Sequence, residues 1–323
     1  MKIVPLRATL LVALLGVTLL LPLSNSPTSA APATYSCPTG WTLKASSCSI
    51  TSHLTRAACA HVHGTWLTTN ECHRIQQAIK KSTSTSYPVG IPDPSEPSGF
   101  APPPSNAVPG YSEIYSTDFP GNTMPSYWPL YSGQPGGDPG ALFAQSQVGV
   151  TSGVLTINTS LQPGAPAQWL TGGTCLCGIP GQTYAAYFVR SRLTGPGPTG
   201  VELLWPDANV WPPEIDFNET YGGTTSSTAT IHWAANNSQQ QIMVHTTMTA
   251  WHTWGVIWTP TKVIYTLDGR IWGTITNQGE IPTIPMHLSL QSQTWCGASS
   301  PWACPTQPES MLVDWVAIYT PNS

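Results

Sequence analysis

The sequence predicts a secreted all-β protein whose main domain is a large β-sandwich, and three observations carry that reading. First, short apolar runs that alternate or nearly alternate recur from about residue 110 to the end, with Gly, Pro, Asn or Asp between them. Second, only 8% of the 323 residues are charged, and no stretch combines a helix period with caps, so long amphipathic helices and coiled coils are excluded. Third, the 28 Gly and 33 Pro punctuate the runs at strand-like spacing. The balance of 11 Lys and Arg against 15 Asp and Glu also speaks against nucleic acid, which needs clustered cations on phosphates.

Taken along the chain, residues 1–33 read as a signal peptide. Lys2 and Arg7 precede an apolar run from Ala8 to Leu23, and small residues follow around Ala30 and Ala33. No later segment is apolar enough to cross a bilayer, so no membrane is expected after cleavage. Export permits disulfides among the eight Cys. Residues 34–75 hold Cys37, Cys48, Cys59 and Cys72, with a weak repeat of Gly, Trp and Leu around Trp41 and Trp66. So small a unit needs its bridges, and it is basic. The tight Cys pairs of zinc modules are missing, so disulfides are preferred to a metal, and the unit is read as either a glycan-binding module or a spacer. Residues 76–109 carry Lys80-Lys81, a Ser/Thr run and eight Pro. They read as an extended, semi-rigid linker.

Residues 110–323 form the main domain, with twelve acids and four cations. Strands are expected at VGVTSGVLTI, YAAYFVRSRL, TATIHW, WGVIW, MHLSLQ and MLVDWVAIYT, with a hairpin turn of the Asp-Gly kind at Asp268-Gly269. The second Cys set is Cys175, Cys177, Cys296 and Cys304. Pairing is expected within each set. Cys175 and Cys177 stand too close for an unstrained bond with each other, so at least one is expected to pair elsewhere.

Three of the fifteen carboxylates fall together in Glu214-Ile215-Asp216-Phe217-Asn218-Glu219. On a strand Glu214 and Asp216 share a face, and one extra residue in a β-bulge near Phe217 or Asn218 brings Glu219 to the same face. Crowded carboxylates cannot all ionise together, so their proton affinities split. Such a split serves a retaining glycosidase, where one carboxylate attacks and one carboxylic acid protonates the leaving oxygen. Trp205 and Trp211 flank the run, and Trp233 and Trp295 come from other strands. Aromatic faces of this kind stack on sugar rings, and an uncharged glycan needs few cations to hold it.

The run LLWPDANVWPPEIDFNE (203–219) resembles the catalytic strand region of glycoside hydrolase family 16, in its laminarinase-like branch. The resemblance continues through TIHWAANNSQQ, WHTWGVIWTPTKVIYTLDGRIW, MHLSLQ and the closing VDWVAIY, and so spans most of 110–323. It implies a concanavalin A-like jelly roll and a double-displacement hydrolysis of a neutral polysaccharide, β-1,3- or mixed-linkage β-glucan first and β-galactan second. It assigns Glu214 as nucleophile, Asp216 as its assisting acid, and Glu219 as general acid and base. Trp205, Trp211, His232 and Trp295 would line the cleft, with His232 alternatively a core histidine. No cofactor is expected for catalysis. A structural calcium at Asp314 is implied by the resemblance, against a plain strand hydrogen bond. The expected protein is a monomer that binds polysaccharide. The same acids would equally serve a cell-wall transglycosylase, while a lectin on this fold would have no need of both Glu214 and Glu219. TCLCG (174–178) and the Cys296–Cys304 loop lie outside the resemblance.

Overall fold

A computed structural model describes residues 87–164, 167–295 and 304–322, and the backbone of short strands between residues 35 and 80. The expected signal peptide and the pairing of the four early cysteines lie outside the described residues. In the N-terminal module, Thr42–Lys44, Ser47–Ser52, Cys72–Gln77 and Thr65–Trp66 form a four-stranded antiparallel sheet in that order.

The main domain is a jelly-roll sandwich of two sheets. The six-stranded sheet runs Gly173–Cys175, Met286–Gln293, Thr199–Pro206, Glu214–Glu219, Ser226–Ala234 and Ser238–His245, antiparallel throughout. The ten-stranded sheet is built on Val154–Gln162, Ser310–Pro321, Ala186–Leu193, His252–Trp258, Val263–Leu267 and Arg270–Ile275. Among the described residues the one helical element is a 3-10 turn at Gln145–Gln147, and no helix is long and apolar enough to cross a membrane.

The alternation of each strand decides which side chains meet between the sheets. Leu204, Ile215, Phe217, Ile231 and Leu288 from the smaller sheet pack on Tyr187, Val189, Trp254, Val256 and Val316 from the larger. The hairpin at Asp268-Gly269 forms with both residues at positive φ, 47° and 77°, and Leu267 pairs with Arg270. That is the mirror-image turn that strand twist favours.

The strands of the larger sheet read as nearly continuous apolar runs, and the structure gives the reason. Their outer face is covered as well. Ala186, Phe188, Ile257, Trp315, Ala317 and Tyr319 form a second cluster there with Val108. The cover is the chain from residue 87 to 109, which corrects the reading of 76–109 as a linker. Within it Ser98, Phe100 and Val108 are buried. Thr253 donates to the Val89 carbonyl at 2.7 Å, Tyr319 donates to the Pro104 carbonyl at 3.0 Å, and the Tyr87 N–H reaches the Gly269 carbonyl at 2.9 Å. Pro-rich chain cannot extend a ladder, but its carbonyls still accept hydrogen bonds, and the apolar outer face needs a cover.

Beneath this cover lies Arg190, 2% exposed. It donates to Ser98 Oγ at 2.5 Å and to Thr253 Oγ1 at 3.1 Å, and its guanidinium lies 4.3 Å from the centre of the Phe100 ring. Burial lowers its pKa to about 10, while Asp268 and Asp314 favour its charged form. His252, on the inner face of the same sheet beside Trp254, bonds Asp268 at 2.7 Å, which fits its reading as a structural residue.

Candidate functional site

The strand Glu214–Glu219 crosses the middle of the smaller sheet. Ile215 and Phe217 turn into the core, while Glu214 and Asp216 face a cleft. The register then slips. Asp216 pairs with Leu203 and Thr230, but Glu219 pairs with Val201 and Thr228. Three steps along the central strand match two on each neighbour, which is the signature of a bulge. The extra residue lies at Phe217-Asn218, both buried, and it returns Glu219 to the cleft.

The cleft holds about 920 Å³ and is lined by Trp205, Trp211, Glu214, Asp216, Glu219, His232 and Trp295 among others. The structure thus brings seven of the residues singled out in the sequence into one depression, while Trp233 packs against the core instead. Trp205 bonds Asn209 through its indole N–H at 2.9 Å. Trp211, 41% exposed, donates its indole N–H to Glu214 Oε2 at 2.8 Å. His232 pairs with Glu214 across the strands and lies in the cleft rather than the core. Its Nδ1 is 2.6 Å from Asn237 Oδ1, its Nε2 3.4 Å from Asp216 Oδ2, and its ring centre 5.6 Å from that of Trp211. Trp295 lies over Gly137. It follows Thr294, whose N–H and hydroxyl both bond the buried Asp138, at 2.6 and 2.7 Å.

Asp216 and Glu219 are buried, Glu214 is half-buried, and the three share charge. Burial is the main cause that raises each of their pKa values. Asp216 pushes Glu214 higher, against His232 and the Trp211 N–H, and Glu219 pushes Asp216 higher. For Glu219 the Tyr221 hydroxyl and His232 pull the other way. The site therefore retains protons on a carboxyl while hydrogen-bond donors hold charge on its neighbours, the division of labour that acid and nucleophile need.

Several residues here escaped the sequence reading. Tyr221 sits in a tight turn, with Gly222, at φ 48° and 76° just past the strand. It touches Glu219 and accepts a hydrogen bond from Gln241 at 2.9 Å. Asp207 bonds His287 at 2.8 Å on the cleft wall, and both line it. Asp207 carries no spacing signal, because it follows a strand end, whereas His287 alternates with Ser289 and Gln291 along its strand. Cys175 and Cys177, also in the wall, are bonded to each other across 5.2 Å between Cα atoms. This corrects the expectation that at least one pairs elsewhere: a Cα separation of this size lies within the ordinary disulfide range even two residues apart. Cys304 is disulfide-bonded too.

Two groups of described residues have metal-like spacing, with ligand atoms within 4.8 Å of one another: Glu214, Asp216 and His232, and Cys175, Cys177 and His287. The second spends its sulfurs on the disulfide.

Residues 202–317 match the family model described as Glycosyl hydrolases family 16. Over those residues the chain has the sequence pattern of that family. No curated protein matches the chain. Among solved structures, the main domain is similar to the catalytic domain of an endo-1,3-beta-glucanase (laminarinase) from Thermotoga petrophila RKU-1, at 18% identity and TM-score 0.57, covering 67% of this chain and 100% of that one. The laminarinase from Rhodothermus marinus gives 20% and 0.58, covering 66% and 98%. A prokaryotic beta-1,3-1,4-glucanase (lichenase) derived from a mouse hindgut metagenome gives 18% and 0.55, covering 64% and 99%. At these identities the likeness establishes the shared fold.

Proposed function

We propose that the protein is a secreted, retaining endo-β-glycosidase that hydrolyses an uncharged β-glucan, with β-1,3- or mixed 1,3-1,4-linkage, and works as a monomer. One observation carries this reading: the bulge of Glu214–Glu219 places three acids, two of them buried, on the floor of a Trp-walled cleft that has no Lys or Arg among its described lining residues. A sulfated or uronate-rich chain would find only acids and two histidines there. The glucanases that share the fold, by their descriptions, act on linkages of this kind.

In this reading Glu219 protonates the glycosidic oxygen while the Glu214 carboxylate attacks the anomeric carbon, and the aglycone half leaves. Glu219, now ionised, takes a proton from water, whose oxygen displaces Glu214 with retention. The Trp211 N–H orients the attacking carboxylate. Asp216, within 4.8 Å of both Glu214 and His232, shares a proton with its neighbours. Glu214→Gln keeps shape and removes the nucleophile, so hydrolysis of laminarin and lichenan, read by reducing ends, is expected to vanish while binding to the same glycans persists. Substantial residual turnover on the best substrate would sink the assignment.

The structural calcium implied by the resemblance would sit at Asp314, which also feels the charge of the buried Arg190. Asp314 is fully buried, its Oδ2 accepts the Ser98 N–H at 3.2 Å, and its Oδ1 has no hydrogen-bond partner. Burial raises its pKa to about 8, and Glu96 adds to the shift; a dication would offset both. Calcium is expected to raise the melting temperature of the native protein but not of Asp314→Asn; equal responses would reject the site.

A further inference from the structure

One buried acid plays no part in the chemistry above. Glu202 lies in Thr199–Pro206, where Val201, Leu203 and Trp205 line the cleft. Its own side chain turns the other way, between the sheets, and is 0% exposed. Its Oε1 accepts the hydroxyl of Ser191, from the larger sheet, in a short bond, and the Asn218 amide at 3.0 Å. Asn218 Oδ1 in turn accepts the Ser227 hydroxyl at 2.6 Å, and Ser227 Oγ accepts the backbone N–H of Glu219 at 3.0 Å. A continuous row of hydrogen bonds therefore runs from the opposite sheet to the backbone of Glu219.

Asn218 is the bulge residue, and its direction decides that of Glu219. In an unbroken strand Phe217 would face the core, Asn218 the cleft and Glu219 the core again. The bulge instead sends both Phe217 and Asn218 inward and Glu219 out. A buried amide is tolerable only with partners, and Glu202 supplies the acceptor that keeps Asn218 inside. The acid is a costly choice for that position. Its Oε2 has no hydrogen-bond partner, and burial raises its pKa to about 8. The neighbouring inward residue, Leu204, is apolar and fully buried. Such a cost is understandable where a polar contact selects one backbone arrangement over another.

We propose that Glu202 is a positioning residue, which holds Asn218 inside the bulge and thereby keeps the Glu219 carboxyl in the cleft. The proposal rests on the reading of Glu219 as general acid. It predicts a defect specific to protonation of the leaving group, which a loosened core would not produce.

The experiment compares Glu202→Met, Glu202→Gln and Glu219→Gln on two substrates: the β-glucan polysaccharide, and a dinitrophenyl β-glycoside of a short β-glucan oligosaccharide, whose leaving group departs without a proton. Glu202→Met is expected to lower kcat on the polysaccharide about tenfold or more, with KM within about twofold, because general-acid catalysis contributes roughly 10²–10⁴. Formation of the glycosyl-enzyme from the aryl glycoside should stay near the native rate. Glu202→Gln retains an acceptor oxygen and should keep both rates. If Glu219→Gln spares the aryl glycoside and Glu202→Met does not, or if Glu202→Met keeps its full polysaccharide kcat, the positioning role is overturned. If Glu219→Gln itself slows both substrates equally, the acid assignment falls, and the proposal with it. Should Glu202→Met fail to fold, Ser227→Ala removes the next bond of the row. It is expected to lower kcat on the polysaccharide alone, and an unchanged kcat there overturns the proposal.

Discussion

At the scale of single residues, the site works by giving similar carboxyls different neighbours. Glu214 has an indole N–H; Glu219 has a phenol. The Tyr221 hydroxyl donates to the Glu219 carboxylate, stabilises its charged form and so lowers its pKa. Glu219 must be protonated to act as the acid, and its deprotonation sets the basic limb of the pH profile. Tyr221→Phe removes the donor, raises the Glu219 pKa, and is expected to move the basic limb of kcat/KM to higher pH. A limb that stays in place would show that the Tyr221 bond does not tune the acid. The alternation of Glu214 and Asp216 was legible in the sequence, since it needs only the period of a strand. Tyr221 and Asp207 were not, because a turn and a strand end bring them in without a period to reveal them; His287 does follow the period of its strand, with Ser289, Gln291 and Gln293 beside it in the cleft.

At the scale of elements, the cleft depends on how strands and loops are pinned. Asp138 fastens the start of the Trp295 loop by its two bonds to Thr294. Because Trp295 offers an aromatic face to a sugar ring and no titratable group, it should bind ground state and transition state alike. Asp138→Ala is therefore expected to raise KM severalfold with kcat nearly unchanged, in steady-state assays on polysaccharide. A fall in kcat at constant KM would instead place this loop in the chemistry. The bulge is the other decisive element. The three acids and their spacing made a bulge readable, but not its support: Glu202 is 14 residues ahead of Asp216, and only strand pairing sets it beside Asn218. The proline-rich segment shows the reverse. Its composition indicates extended chain, which it is, but the apolar outer face of the larger sheet draws residues 87–109 into the fold.

At the scale of the whole molecule, buried acids shape the response to pH. Glu202, Glu309 and Asp314 all have pKa values raised by burial to about 8, and Glu96 is raised to about 7. Each binds its proton more tightly in the folded state than in the unfolded chain. Their stabilising contribution is complete below the unfolded carboxylate values and is lost as pH rises through the folded ones. Asp268 acts oppositely. Burial alone would raise its pKa, but His252, Arg190 and the Thr253 N–H lower it overall, and its contribution is lost as pH falls through that depressed value. The melting temperature, followed without calcium, is expected to be highest in mildly acidic solution and to fall from pH 5 to pH 8. A flat or rising profile over that window would contradict the burial of these acids.

The sequence by itself determined the β-sandwich, the Asp-Gly hairpin and the gathering of three acids on one strand, because each of these follows from local periodicity and turn chemistry. The tertiary structure alone decided the rest. Long-range pairing and packing placed the cover at 87–109 and brought Trp295 into the cleft wall. They also put a buried Glu202 behind the bulge that turns Glu219 toward the substrate. Those outcomes depend on which distant surfaces meet, and no period along the chain encodes that.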